Sequence, residues 1–582
     1  MSTETKRRKQ SMWYRPCCIL AICIGFAPSM LPAEQLPVFK LTDPEVNYNK
    51  ANAVLTSLYG GSLPFAADIQ DKRDVVIHRV ENKEVELNKA SGGIFARDVT
   101  QLWNTNLKPL LPDQTKTRKL ADQFLSQLKL LPNNQPYTRV SFAGYSETGM
   151  ATDTTSAASA KTILDRQVNY QVEVVVKSGQ GRERALPVVG GGGKFKVAVG
   201  DQGAIIGYHG VWRPITGVSS NEEIMSRAEA ESQFKQSVGK LHLTRVESFL
   251  AYYAAPAFEK QEHLAPVWVI KAEANVAGKR LPLRYTMIAA TKYGPNFNQH
   301  DLVPQMSRQV AMLPPLGAVN FGEVVGGIQL NPSAVYPLTA DDAVNEAGTS
   351  WIGASQGLPG SQANAQGFVD RLSAAGWTIR FNWGEGNAWE SDWNANDDLW
   401  VDAVDFAFYT GHANSDGWVF NAPNDTFLHF SEVGASPGSP DDLYGQQDLE
   451  WIAIAACGPH QSNHFTTGIG NAFDRWRGIF DGLHVFLGYG AITYDNTSEG
   501  SRLAELTLAG WTVIDAWFRT AWEIQPATNT FGAPNGPTIY ATAMYAHMGD
   551  NATRNDHIWG RGATVADPIG PNQMRVLLWS GT

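Results

Sequence analysis

Two short, almost wholly apolar runs at residues 404–409 and 451–456 constrain the fold of this chain more than any other feature. Runs of this length, separated by stretches with helical spacing, are what strands buried on both faces of a sheet look like in sequence. The first run ends in Thr410-Gly411-His412 and the second in Cys457-Gly458-Pro459. In α/β sheets ligands bind beyond the carboxyl ends of the strands, where these two side chains fall.

The rest of the C-terminal part repeats the pattern. Residues 361–375 have helical spacing and end at Gly376, residues 377–381 form a strand, 471–480 a helix, 483–487 a strand and 501–520 one long helix. The expectation is an α/β domain over 330–582 with a mostly parallel sheet flanked by helices. Fourteen of the eighteen tryptophans fall in 351–579, and by default they are core residues.

A chain of 582 residues exceeds what one core supports. Residues 1–33 have the layout of a cleaved export signal: Lys6, Arg7, Arg8, Lys9 and Arg15 precede a short apolar core, and Leu31-Pro32-Ala33 offers a cleavage site. This points to an exported bacterial protein, periplasmic or extracellular. Cys17, Cys18 and Cys23 would leave with the signal, so Cys457 remains alone and internal disulfides are excluded. The net charge of −10 becomes about −14 without residues 1–33, which argues against nucleic acid or an anionic membrane as partner. No segment beyond the signal has the apolar length of a membrane span. Oligomeric state is not written in the sequence.

Between signal and C-terminal domain, two further regions are expected. Residues 34–139 are mixed, with helical spacing at 43–59 and 118–130. Residues 140–310 alternate strands with a helix that opens at Ser226, an α+β pattern. A Pro- and Gly-containing linker at 314–327 follows. Gly190–Gly193 with Lys194 lacks the spacing and following helix of a phosphate loop and fits a hairpin or bulge. Leu186-Pro-Val-Val189, Asp201-Gln-Gly203-Ala-Ile-Ile-Gly207 and Leu264-Ala-Pro-Val-Trp268 together resemble the propeptide modules of thermolysin-like metallopeptidases. That resemblance implies a folding or inhibitory role toward a C-terminal enzyme.

A thiolate attacks a carbonyl once a neighbouring base or dipole stabilises it, and backbone N–H groups must hold the oxyanion that forms. Cys457 and His412 supply nucleophile and base at adjacent strand ends, with Gly411 and Gly458 allowing the sharp turns that free backbone amides. The segments Asp405-Phe-Ala-Phe-Tyr-Thr-Gly-His412-Ala413 and Trp451-Ile-Ala-Ile-Ala-Ala-Cys457-Gly458 resemble the caspase-like cysteine peptidases, the group of caspases, legumains and gingipains. The resemblance covers about 335–525. It implies a caspase-like fold, Cys457 as nucleophile, His412 as base or acid, and an oxyanion hole from the amides of Cys457 and Ala413. No cofactor is required, and the substrate is a peptide or protein. Ala413, Ala455 and Pro459 depart from that group's pattern.

Asp416, Asp495 and Glu499 are the acids placed to favour a basic substrate residue, while Trp418 and Tyr489 offer an apolar pocket instead. Three alternatives stand beside the peptidase. His412, His460 and His464 suggest a metal-dependent hydrolase. Asp392, Asn394 and Asn396 begin like a calcium loop, though Asp397 replaces the glycine an EF-hand needs, so only a looser calcium site is left. The same acidic loop beside Trp383, Trp389 and Trp393 has the makings of a glycosidase site. A non-catalytic secreted binding protein with the same fold is the rival from outside enzymology.

Overall fold

A computed structural model describes residues 34–153, 161–177, 182–276, 278–296, 344–421, 426–434, 443–466, 469–529, 538–547, 551–568 and 574–582. The export signal and the 314–327 linker lie outside the described residues.

The apolar runs become strands, and five of them pair in parallel. In spatial order these are Thr378–Gly384, Glu346–Trp351, Phe406–Thr410, Trp451–Ala455 and Val485–Tyr489. Antiparallel strands Tyr540–His547 and Met574–Gly581 extend this row. Met574–Gly581 then pairs with Thr138–Thr152 from the other half of the chain. From there the sheet runs on antiparallel through Lys161–Lys177, Lys194–Val199, Ile205–Val211, Ile94–Asp98, Lys83–Asn88, Val75–Val80 and Asp68–Asp71.

A branch leaves through Glu183–Val189 to His242–Tyr253 and His263–Val276. His263–Val276 in turn pairs with Gln35–Leu41 and with the short strands Lys279–Pro282 and Thr286–Ala289. Among the described residues, twenty-two strands join in this one mixed network.

This corrects the expected fold class. The chain is not an α+β region followed by a mostly parallel, helix-flanked, caspase-like α/β domain: it is one large mixed sheet with few helices, and antiparallel pairings dominate it. The physical reason lies in burial. Val576–Trp579 are buried on both faces of the sheet, so an antiparallel strand there carries the same uninterrupted apolar run as a parallel one. In the N-terminal half, strands of up to seventeen residues take up what the α+β expectation divided among shorter elements.

The expected single helix over 501–520 is two, Glu499–Leu508 and Val513–Ile524. Gly510, at φ +87°, turns the chain between them, and the Thr512 side chain caps the second by accepting from the Asp515 N–H. Ser361–Ala374 lies beside the first of them. A Cβ at Gly500 would stand 2.4 Å from the Asn364 carbonyl oxygen, so only glycine permits this approach. One face of the parallel strands packs on these helices through Phe368, Leu503, Trp517 and Trp522. The other face is an aromatic core around Trp383, Trp393, Trp418 and Trp476.

At the amino ends of the parallel strands sits His484, fully buried under Trp451. Burial opposes its charged form, yet hydrogen bonds to Asp556 (2.7 Å) and Asp567 (3.3 Å) overcome this and raise its pKa to about 9. The charged form is therefore favoured by folding. Its contribution to stability is complete below the ordinary value of 6.5 and disappears as pH rises through about 9. Relative to His484→Gln, the protein should hold a stability margin at pH 6 that closes by pH 9 to 10, read from urea unfolding at each pH. A margin that widens with pH would contradict this.

Candidate active site

His412 and Cys457 each follow by two residues the end of one of two adjacent strands, which pair Thr410 with Ala455, and both side chains are buried. Phe406–Thr410 ends at Thr410, and Gly411 follows where a Cβ would lie 2.2 Å from the Tyr409 hydroxyl oxygen. Cys457 is followed by Gly458 at φ +64°, the left-handed turn that sends the chain back toward Pro459. Ala413 is buried at the start of a small hairpin and pairs with Trp418.

His412 is held at both ring nitrogens. Its Nδ1 accepts the main-chain N–H of Arg284 at 3.2 Å, so the proton sits on Nε2, which donates to the Gln356 carbonyl at 2.9 Å. Burial is the main cause that drives its pKa down to about 4, with the Arg284 cation adding to the effect. Cys457 Sγ accepts the Thr493 N–H at 3.4 Å and lies 3.9 Å from the Thr493 hydroxyl. Burial pushes its thiol pKa up, partly countered by Arg284. Among the described residues there is no thiol–imidazole hydrogen bond. With the imidazole pKa lowered and the thiol pKa raised, both groups are neutral near pH 7, and the lone pair on His412 Nδ1 is already occupied.

The occupant comes from the N-terminal half. The nearby strand starts only at Thr286, and just before it Arg284 reaches His412 and the strand ends at Thr410 and Ala455. Tyr285 donates its N–H to the Thr493 carbonyl and accepts the Asp495 N–H, both at 2.9 Å, a short parallel bridge to Tyr494. The Arg284 guanidinium is fully buried. Nη1 donates to Thr410 Oγ1 (3.0 Å) and the Ala455 carbonyl (2.6 Å), and Nη2 donates to the Tyr494 carbonyl (2.8 Å) and Glu499 Oε2 (3.1 Å).

The five residues expected to set substrate preference divide. Tyr489, Asp495 and Glu499 gather around Arg284: the Tyr489 hydroxyl donates to Glu499 Oε1 at 2.7 Å, and Asp495 accepts the Gly360 N–H at 2.8 Å. Burial raises the Asp495 pKa to about 6, moderated by Arg284. Asp416 instead lies in the turn of the hairpin, bonded to Ser415, and Trp418 is core, stacked on Trp476 and edge-on to Trp393. Gln356, Thr410, Thr493 and Arg284 did not stand out in the sequence. For Arg284 one local signal existed, a single arginine in the otherwise apolar stretch Leu281-Pro-Leu-Arg-Tyr-Thr-Met-Ile288.

The three histidines proposed for a metal have separate partners. His460 Nδ1 bonds to the Thr542 hydroxyl and His464 Nδ1 to that of Ser462, while His412 is engaged as described. In the acidic loop, Asn394 accepts the Ala395 N–H with its carbonyl oxygen and bonds Glu390 with its amide. Asp392 is buried, and Asn396 is half-buried. Among the described residues, three acidic side chains converge elsewhere: Asp405, Asp448 and Glu450 lie within 4.8 Å of one another at the amino ends of the strands, opposite Cys457. Trp383 and Trp393 are buried in the aromatic core and offer no sugar platform. No described helix is long and apolar enough to cross a membrane.

No curated protein matches the chain. Among solved structures it is similar to an uncharacterized protein from Eubacterium rectale, 11% identical, with 45% of this chain and 84% of that chain covered and a TM-score of 0.26. Residues 344–581, which carry His412, Cys457 and Glu499 but not Arg284, match the model of a family described as a domain of unknown function, DUF6345.

Proposed function

We propose that the protein is a secreted cysteine-dependent hydrolase of peptide bonds, with Cys457 as nucleophile and His412 as base, kept latent by its own N-terminal half. One observation carries this: a peptide segment already lies against the two strand ends, its main-chain N–H on His412 Nδ1 and its arginine on Thr410 Oγ1 and the Ala455 carbonyl. A substrate amide would need the same seat.

With that segment displaced, Nδ1 is free to take the Cys457 proton while the Gln356 carbonyl fixes the ring through Nε2–H. The thiolate adds to the substrate carbonyl carbon, and the oxyanion faces backbone N–H groups around Ala413 and Cys457. As the C–N bond breaks, His412 returns the proton to the leaving nitrogen, and water then hydrolyses the thioester. No cofactor takes part in these steps.

A non-catalytic binding protein is the second reading, favoured by a thiol whose pKa is raised rather than lowered. Alkylation separates the two. Iodoacetamide should label Cys457 slowly at pH 7.5 in the intact chain and at least about tenfold faster in full-length Arg284→Ala, where the segment loses its anchor. A Cys457 that stays inert in the opened chain, or peptide hydrolysis that survives Cys457→Ala, overturns the cysteine-dependent reading.

A further inference from the structure

We propose that the cavity filled by the Arg284 side chain is a guanidinium-specific substrate pocket of this site, and that Leu283–Thr286 is its built-in competitor. This rests on the hydrolase reading for the word substrate; the ligand class stands on the pocket itself.

All four acceptors of the guanidinium belong to the C-terminal half. Thr410 and Ala455 close two adjacent parallel strands, Tyr494 follows a third, and Glu499 opens the helix Glu499–Leu508. None of the four groups that accept from the guanidinium comes from the segment's own half of the chain. The carboxylate is set in place by that same half: Glu499 Oε1 receives the Tyr489 hydroxyl and the Gln525 amide, both at 2.7 Å, and its main-chain N–H donates to Asn496 Oδ1 at 3.0 Å. Removing Arg284 would leave these partners intact and leave Glu499 buried without a cation.

The acceptors also discriminate between cations. They divide between the two terminal nitrogens, two for Nη1 and two for Nη2. A guanidinium fork meets all four at once, whereas an ammonium has one nitrogen and three N–H donors for four acceptors. The main chain of the segment adds the features of a bound peptide, with bridging hydrogen bonds to Thr493 and Asp495 and an N–H on the base. An arginine inserted only to cross-link the two halves would need the charge pair but not this engagement of His412.

The test is chemical rescue of the full-length Arg284→Ala chain. Agmatine, which carries the guanidinium on a four-carbon stem, should raise its Tm by a few degrees at about a hundred times its Kd. Butylamine at equal concentration should not, and wild type, whose pocket is filled, should respond to neither. Where Arg284→Ala does not accumulate by itself, Arg284→Ser expressed and purified in the presence of agmatine leaves the pocket equally open, and agmatine should stabilise it as well. No response in either variant, or an equal response to both amines, overturns the pocket. The Cys457→Ala substitution added to Arg284→Ala should leave the agmatine response unchanged. Binding without Cys457-dependent hydrolysis keeps the pocket and removes the enzyme. Cys457-dependent hydrolysis indifferent to arginine in the substrate keeps the enzyme and overturns the pocket.

Discussion

In the opened Arg284→Ala chain, His412→Ala should lower peptide hydrolysis by about 10²–10⁴-fold, the range that one positioned acid–base group contributes, and Cys457→Ala should abolish it. The pH dependence gives a second, independent readout. In the closed chain, burial holds the His412 pKa down at about 4 and the Cys457 thiol up. Neither group then titrates between pH 5 and 8, so alkylation of the intact protein should rise only on the alkaline side of the ordinary thiol value.

Displacing the segment removes the N–H that occupies Nδ1 and lets water in, which relieves the burial acting on both groups. The alkylation profile of Arg284→Ala should accordingly gain a limb in the neutral range that His412→Ala removes. A residue that merely packs beside Cys457 would change the rate without removing that limb. If the opened chain and its His412→Ala derivative share one profile, the base assignment is wrong.

How far such a site can be read from residues alone depends on which interactions are local. Ser226 caps its helix as its position before 227–237 implies, because a cap joins neighbours. The strands ending at Thr410 and Ala455 were legible because burial on both faces leaves an uninterrupted apolar run. Strand direction was not legible, since that run is the same for either pairing. The junction of Met574–Gly581 with Thr138–Thr152 joins residues more than four hundred positions apart and carries no local signal.

The same logic sorts the acids. Asp416 is near His412 in sequence but is carried off by a hairpin turn, and Trp418 turns into the opposite face of the sheet. Glu499 comes to the pocket because a helix begins there, beyond the next parallel strand. The partners of Arg284 were not legible beforehand, because they come from three separate stretches of the other half, around Thr410, Ala455 and 494–499.

The joint between the halves is also where a single substitution should cost the most stability. Arg519, on the helix Val513–Ile524, grips Glu86 of the N-terminal half with two hydrogen bonds, 2.8 and 2.6 Å, and bonds Glu523 at 3.0 Å. Arg502 holds the same Glu523 through two more, 2.6 and 3.0 Å. All four side chains are buried.

Arg519→Met would strand Glu86 and leave Glu523 with one cation, a loss of about 3–5 kcal/mol for a broken buried pair. Arg519→Lys should recover only part of it, because a single ammonium cannot make the planar two-bond contact with Glu86. Arg519→Met combined with Glu86→Met should recover more than Arg519→Lys, since it removes the stranded charge.

The acid limb follows from Glu523. Burial alone would raise its pKa, but Arg502 and Arg519 overcome this and bring it to about 2. A carboxylate depressed in this way contributes stability that is complete above its ordinary value of 4.5 and is lost only as pH falls through about 2. The deficit of Arg519→Met in urea unfolding should therefore be full at pH 7, nearly full at pH 5 and shrink toward pH 2. A deficit below about 1 kcal/mol at pH 7, the size of an exposed pair, would mean that the network is not what couples the two halves.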